Sequence, residues 1–292
     1  MVNEVSRGTL TLGQVLDEAE RALSAHGVWT PREDAETLAA HVLGVESGAL
    51  SPDATLGPAA IARLREFIGR RAGREPLAYL TGRASFGGIT LSVGPGVFVP
   101  RPHSEPMLAW GLQMLAGRSQ PVVVDLCTGC GAIALAVAKA RPDAVVHAVD
   151  RDPAALDYAR SNARTAGNVP VRLHAVDVAE GTALRGLEGS VDLVLANPPY
   201  VAESKELLPE WSEHHPRQAI YSGADGLELT RHVVRLAARL LRPGGGAAVE
   251  HDDAQGPALA GLLAGAGFAA ITDRTDHHGE ARFTTASLAA AA

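Results

Sequence analysis

Apolar positions recur along this chain at two spacings, and the change from one to the other divides it. Between Leu10 and His26, Leu12, Val15, Leu16, Ala19 and Leu23 fall on one helical face, with Thr11 placed to cap the first turn and Gly27 to end the last. A second helix is expected from Pro31 through Ala35, Leu38, Ala39 and Val42 to Gly44, and a third over about 58–73 with Ile61, Leu64, Phe67 and Ile68 on one side. Beyond Gly82 the period shortens. Residues 85–93 combine a Gly-Gly turn signal with alternation and predict a β-hairpin; Gly94-Pro95-Gly96 is a second turn, followed by Val97-Phe98-Val99 as a short strand. From Pro121 onward short apolar runs alternate with helical stretches. Strands are expected at 121–126, 145–149, 171–176, 191–196 and 247–250. Helices are expected between them at about 132–140, 153–166 and 225–241, then at 254–266. Residues 268–272 and 281–286 read as closing strands, and the Ala-rich tail 287–292 as frayed. This is an α/β pattern behind a small helical domain, with expected boundaries at 1–82 (helical), 83–105 (hairpin connector) and 106–292 (α/β domain).

Composition changes the picture only by exclusion. At 292 residues and 46% hydrophobic the chain can bury a sizeable core, and a net charge of −7 argues against a broad nucleic-acid footprint. No apolar run approaches the roughly 18 residues of a membrane span. Residues 1–13 lack a charged-then-apolar leader pattern, and two cysteines make no disulfide framework. A soluble cytoplasmic protein is the expectation. The histidines and cysteines do not suggest a metal site.

Candidate chemistry gathers where strands are expected to end. Asn197-Pro198-Pro199-Tyr200 follows the fourth run; its prolines have no N–H to continue a ladder, so they stiffen the corner and hold Asn197 at the carboxyl end of a strand. The Asn197 Oδ1 and the Pro198 carbonyl offer two acceptors, and Tyr200 a flat face: a socket for a planar N–H₂ group. Asp125-Leu126-Cys127-Thr128-Gly129-Cys130-Gly131 runs from the first strand into a helix, where glycines admit a ligand close to the backbone and the helix N-terminus favours an anionic group. The run also fits a dinucleotide fingerprint, so a nicotinamide cofactor stays open on this ground alone. Asp125, however, suits a cationic amine and is poorly placed beside a pyrophosphate. Asp150 at the second strand end can hold ribose hydroxyls, and Asp177-Val178 after the third can meet an adenine edge and face. Cys127-x-x-Cys130 permits redox or zinc readings, which lack a second pair. The connector delivers Pro100-Arg101-Pro102-His103-Ser104-Glu105, a stiff segment bearing a cation, an imidazole and a carboxylate. Residues 202–222, with Trp211, His214, His215 and Pro216, read as a substrate-side loop.

Taken together, the alternating βα units, the Gly-rich first turn and the Asn-Pro-Pro-Tyr after strand four resemble a class I S-adenosylmethionine methyltransferase. Such a fold is Rossmann-like, with a mostly parallel seven-stranded sheet. Additional landmarks are Arg74-Glu75-Pro76-Leu77, Phe98-Val99-Pro100-Arg101-Pro102, Gly223-Ala224-Asp225-Gly226-Leu227, and Glu250-His251 with Gln255-Gly256. On these the chain is similar to the HemK/PrmC family of protein-glutamine methyltransferases, which methylate the Gly-Gly-Gln glutamine of peptide-chain release factors. The resemblance implies S-adenosylmethionine held by Asp125, Cys127, Thr128, Gly129, Cys130, Gly131, Asp150, Arg151, Asp177, Val178 and Asn197. It implies a side-chain amide acceptor at Asn197, Pro198, Pro199 and Tyr200, with Arg101, His103, Glu105 and His215 on the substrate side. Against the family pattern, His103-Ser104 replaces an acidic residue and threonine, His215-Pro216 replaces Glu-Pro, Cys127 replaces a glycine, and Ala281-Arg282-Phe283 replaces Asp-Arg-Val. A release factor is the expected partner. Another protein, a peptide or a small amide is an alternative acceptor, and adenine-N6 methylation of nucleic acid a more distant one.

Overall fold

A computed structural model describes residues 10–290. The expected absence of a leader therefore falls mostly on residues outside the described ones, as does the end of the Ala-rich tail. The chain forms two compact units, one holding the described residues up to Gly82 together with Leu208–His214, the other Arg83–Leu207 and the described residues from His215 on.

The first unit is helical because its apolar stripes require partners. Helices α1 (Leu12–Ala25), α2 (Pro31–Leu43) and α3 (Pro58–Ala72) turn Leu12, Leu16, Leu23, Ala35, Leu38, Leu64 and Ile68 into one core, joined by Leu80 of the short α4 (Leu77–Thr81). At the start of α1 the Gln14 N–H donates to Thr11 Oγ1 at 3.3 Å while the Thr11 N–H donates to Gln14 Oε1 at 3.0 Å, a reciprocal cap. Arg71 on α3 is 5% exposed; its Nε reaches Asp34 Oδ2 at 2.6 Å and its Nη1 reaches Glu210 Oε2 at 3.2 Å. Glu210 lies on the single-turn α8 (Pro209–Ser212), so part of the 202–222 stretch is tied into the helical unit by a buried charge network.

The second unit opens with the hairpin β1 (Arg83–Phe86) and β2 (Ile89–Ser92), turned by Gly87 at φ +54° and Gly88 at φ +72°. No strand forms at 97–99, contrary to expectation. Val97 and Val99 are buried at 1% and 5% exposure, so their alternation serves loop packing rather than a ladder. Helix α5 (Glu105–Met114), which the periodicity did not indicate, follows. The Rossmann-like domain then alternates: β3 (Val122–Leu126), α6 (Ala132–Ala140), β4 (Val145–Asp150), α7 (Pro153–Thr165), β5 (Val171–Ala175), β6 (Val191–Ala196), α9 (Glu228–Leu240), β7 (Leu241–Glu250), α10 (Gly256–Gly265), β8 (Phe268–Thr275) and β9 (Ala281–Leu288). The seven strands lie in the order β5-β4-β3-β6-β7-β9-β8, parallel from β5 to β7, with β9 antiparallel to both neighbours. No helix among the described residues is long and apolar enough to cross a membrane.

Three of the boundaries that depart from expectation have a physical reason in the packing and pairing. Strand β7 begins at Leu241 rather than Ala247, running through Pro243 and three glycines. A Cβ on Gly246 would lie 3.1 Å from both Met114 and Trp110, so the glycine lets α5 pack directly on the strand. Helix α9 starts at Glu228, three residues late, because Gly226 sits at φ +75° and the Leu229 N–H is capped by Ser222 Oγ at 2.8 Å. Ser287 and Leu288 are not frayed: they complete β9, pairing with Ala269 and Phe268.

Register aligns the carboxyl ends of the parallel strands. Leu126 is opposite both Val149 and Ala196, Ala196 is opposite Val249, and Asp150 is opposite Ala175. Residues 127, 150, 197 and 250 therefore emerge side by side along one edge of the sheet, where open α/β sheets bind ligands.

Candidate active site

At the β3–α6 turn the backbone is bent sharply: Cys127 has φ +62°, Gly129 +55° and Gly131 +87°. Gly131 is required by packing, since a Cβ there would sit 3.2 Å from Ala159 on α7, whereas a Cβ on Gly129 would meet nothing closer than 4.0 Å. Gly129 thus leaves the face above the turn open. Two carboxylates shape this turn. Asp125, 1% exposed, accepts from Thr128 Oγ1 at 2.6 Å and from the Ala134 N–H at 3.0 Å, both through Oδ2. Its Oδ1 is buried without a hydrogen-bond partner. Burial pushes its carboxyl up to about 7, against the two hydrogen bonds that favour ionisation. Asp150 accepts from the Gly129 N–H at 2.8 Å and the Asp152 N–H at 3.0 Å, fixing the loop from the neighbouring strand; burial raises its carboxyl pKa too.

Asn162 on α7, fully buried, anchors the same loop from behind. Its Nδ2 donates to the Cys130 carbonyl at 3.0 Å and the Ser92 carbonyl at 3.1 Å, and its Oδ1 accepts from the Ser92 N–H at 2.7 Å. The cysteines are free thiols, and burial raises Cys130 to about 12 and Cys127 well above its usual value, which disfavours thiolate chemistry. No cluster of three or more metal-ligating side chains occurs among the described residues. Past β5, Asp177 Oδ1 caps its own turn by accepting from the Ala179 N–H at 2.9 Å, while Arg151 Nη1 approaches its Oδ2 at 3.4 Å. Val178, 7% exposed, is packed into the main core with Leu126, Val149 and Leu184.

The β6 exit carries Asn197, half-buried, then Pro198 and Pro199, both buried. The Asn197 side chain enters none of the hydrogen bonds between described residues, so its acceptor and donors remain available. Tyr200 is held at both ends. Its carbonyl accepts from Gln255 Nε2 at 2.9 Å, and its hydroxyl donates to Glu250 Oε1 at 3.4 Å. Gln255 also donates to the Asp225 carbonyl at 3.0 Å, which ties the Gly223–Leu227 turn to the corner. Burial and the Glu250 carboxylate raise the Tyr200 phenol, so it stays protonated.

Of the connector residues, His103 is brought to this corner, with its Nε2 3.3 Å from Glu250 Oε1. Arg101 lies over the Phe98 ring at 5.6 Å, and the His215 ring packs against Phe98 at 5.3 Å and a 51° tilt, forming a second group. Glu105 is turned elsewhere: its Oε1 accepts from the Gly87 N–H at 3.1 Å and closes the hairpin turn. Sequence reasoning assigned no role to Glu250, Ser104, Gln255 or Asn162. Glu250 carried a legible signal, as one more acid ending a parallel strand; the other three are identified only by their tertiary partners.

The chain matches the family described as PrmC N-terminal domain over residues 14–82 and the methyltransferase small domain over residues 95–211. It is 47% identical to the release factor glutamine methyltransferase of Mycolicibacterium smegmatis over 277 residues, covering 94% of this chain and 97% of that one. It is 43% identical to the protein of the same name from Streptomyces coelicolor over 290 residues, covering 96% and 99%. Among solved structures, a methyltransferase from Pyrococcus furiosus superposes with a TM-score of 0.51 at 21% identity, covering 68% of this chain and 89% of that one. A T. thermophilus 16S rRNA N2 G1207 methyltransferase in complex with AdoMet and guanosine gives 0.50 at 24% identity, covering 70% and 49%. At these identities the structural likenesses speak to the fold, a class I methyltransferase sheet.

Proposed function

Because this chain belongs to the release factor glutamine methyltransferase family, we propose that it transfers a methyl group from S-adenosylmethionine to the side-chain amide of a release factor's Gly-Gly-Gln glutamine. The observation that carries the reading is the register placing Asn197 beside the Gly-rich turn, with an unengaged carboxamide on a buried Pro-Pro corner.

The residues present fit the cofactor. Asp125 Oδ1 is an orphaned buried acceptor suited to an ammonium, and Gly129 leaves room for a close approach. Asp150 keeps free lone pairs for ribose hydroxyls beyond its two backbone bonds, and Asp177 lies at the next strand end. S-adenosylmethionine, when bound, supplies an electrophilic methyl group. The protein's task is alignment, because an amide nitrogen is a poor nucleophile. Asn197 Oδ1 and the Pro198 carbonyl accept the two amide hydrogens and fix the nitrogen's direction, and Tyr200 covers the amide plane. The same acceptors stabilise positive charge as it grows on the nitrogen. Positioning of this kind supplies up to about 7–11 kcal/mol in the best cases. The helical unit, at residues 10–82 with 208–214, serves on this reading to grip the protein substrate, with Arg101, His103 and His215 on the substrate side.

The test is direct. The protein is incubated with methyl-labelled S-adenosylmethionine and a purified release factor, then with Gly-Gly-Gln peptides and an adenine-containing oligonucleotide, and the label is located by mass spectrometry. Label on the release-factor glutamine is expected; label on another acceptor alone would overturn the substrate assignment.

A further inference from the structure

Glu250 is the last residue of β7 and is 1% exposed. Register places it beside Asn197, since Ala196 pairs with Val249 on the adjacent parallel strand. A carboxylate at that depth persists only with hydrogen-bond donors or a cation around it. Three groups meet it. Ser104 Oγ donates to Oε2 at 2.5 Å and Tyr200 Oη donates to Oε1 at 3.4 Å, while His103 Nε2 stands 3.3 Å from Oε1 without forming a hydrogen bond to it. Two of the three come from the connector, and the third is the aromatic residue of the Asn-Pro-Pro-Tyr corner.

From this geometry we propose that Glu250 is a positioning residue for methyl transfer, holding the Tyr200 ring in its plane and clamping the His103-Ser104 segment to the reaction corner. The inference rests on the reading of Asn197 to Tyr200 as the acceptor socket. Tyr200 needs such a hold. Its backbone is fixed through the carbonyl by Gln255, but the side chain can still swing about its Cα–Cβ bond unless its far end is anchored, and the phenolic O–H, which conjugation keeps in the ring plane, carries the direction of its acceptor into that plane. The anchored ring defines one wall of the socket, so a plane imposed on Tyr200 becomes a plane imposed on the amide. Ser104 strengthens the hold indirectly: by occupying Oε2 at 2.5 Å it fixes the carboxylate so that Oε1 faces Tyr200.

The carboxylate itself, beyond its shape, is required. A glutamine at 250 would keep one acceptor oxygen but present an N–H₂ group in place of the other. Either Ser104 or Tyr200 would then face a donor instead of an acceptor. Glu250→Gln is therefore preferred to Glu250→Ala, which leaves a buried void and two unpaired hydroxyls and can fail for stability alone.

The experiment is a double-mutant cycle between Glu250→Gln and Tyr200→Phe, read as kcat and KM on a release factor, with cofactor affinity by calorimetry and thermal unfolding on the same preparations. Each single substitution is expected to lower kcat about tenfold or more, the loss of a hydrogen bond to a charged group. KM and Kd for the cofactor should hold, and the double variant should fall within about threefold of the weaker single one, because both remove the same contact. Additive losses, or wild-type kcat in Glu250→Gln beside an impaired Tyr200→Phe, would overturn the positioning role. A fall in cofactor affinity or melting temperature that accounts for the whole effect would reduce Glu250 to a structural residue and overturn it too. If the wild-type protein binds the cofactor but transfers no methyl group to the release factor, the proposed function fails first, and that result is read before any variant is made.

Discussion

Asp125 gives the sharpest numerical expectation. Its carboxyl is held at about 7 by burial, and its Oδ1 has no partner in the free protein. Below pH 7 the group is mostly protonated and neutral; above it, ionised. An ammonium placed at Oδ1 stabilises the ionised form, so binding below pH 7 must expel the proton and affinity weakens as pH falls. An α-amino group titrates at about 7.7–8.0, so the ligand's own charge is nearly constant below pH 7. The ionised fraction falls from about one half at pH 7 to about 3% at pH 5.5, and the apparent dissociation constant of S-adenosylmethionine should rise about fifteenfold across that interval. Isothermal titration calorimetry in two buffers of different ionisation enthalpy measures both quantities: the affinity, and close to one proton released per cofactor bound at pH 5.5. Asp125→Asn should bind weakly and without this slope. Thr128 Oγ1 and the Ala134 N–H would take its amide oxygen, leaving the N–H₂ to face the ammonium. A dissociation constant flat from pH 5.5 to 7, or the same slope in Asp125→Asn, would refute the reasoning. The Asn variant also separates Asp125 from Asp150, whose pKa is raised as well.

Three further outcomes follow from the same geometry. Asn197→Ala should keep cofactor affinity while turnover falls on the order of a hundredfold, the scale of losing one aligned polar group; a quench assay beside calorimetry reads both. Cys127 holds φ +62°, where a β-carbon costs roughly 1–2 kcal/mol, so Cys127→Gly should exceed Cys127→Ala in unfolding free energy by about that amount in urea titrations. His147 on β4 touches His174 on β5 at 2.9 Å between ring nitrogens; burial, the His174 ring and Arg172 lower its pKa to about 4. Its folded pKa lies below the unfolded value of about 6.5, so the unfolded chain takes up the proton first and stability is lost as pH falls from about 6.5 toward 4. Against a His147→Gln variant, the native protein should lose roughly 2–3 kcal/mol more between pH 6.5 and 4.5, as measured by urea unfolding.

Much of the fold was legible because its rules are local. Helical spacing at Leu12, Val15, Leu16 and Ala19 and the Thr11 cap need only neighbours along the chain, and both formed as expected. Helix α6 and strand β6 likewise follow from apolar runs broken only by Lys139 and Asp192, and most of their residues are buried. Boundaries failed where a distant partner set them. The Arg242-Pro243-Gly244-Gly245-Gly246 segment looks like a stop by composition, yet it is strand because α5 needs its bare surface. Val97 and Val99 alternate like a strand, yet they lie in a loop that buries both side chains. In the site, residue types at strand ends were visible from spacing, since each parallel strand delivers its last residue to the same edge.

The order of residues by itself determined which groups stand at that edge: Asp125, Asp150 and Asn197, which end or follow mostly buried apolar strands, and Asp177, which follows the half-exposed edge strand β5. Only the tertiary structure decided what those groups are doing there. It left Asp125 Oδ1 and the Asn197 amide unengaged, spent Glu105 on a hairpin turn, packed Val178 into the core, and set Glu250 behind Tyr200. Burial and periodicity are written in neighbouring residues, whereas an acceptor's availability depends on whether a donor far away in sequence has already claimed it.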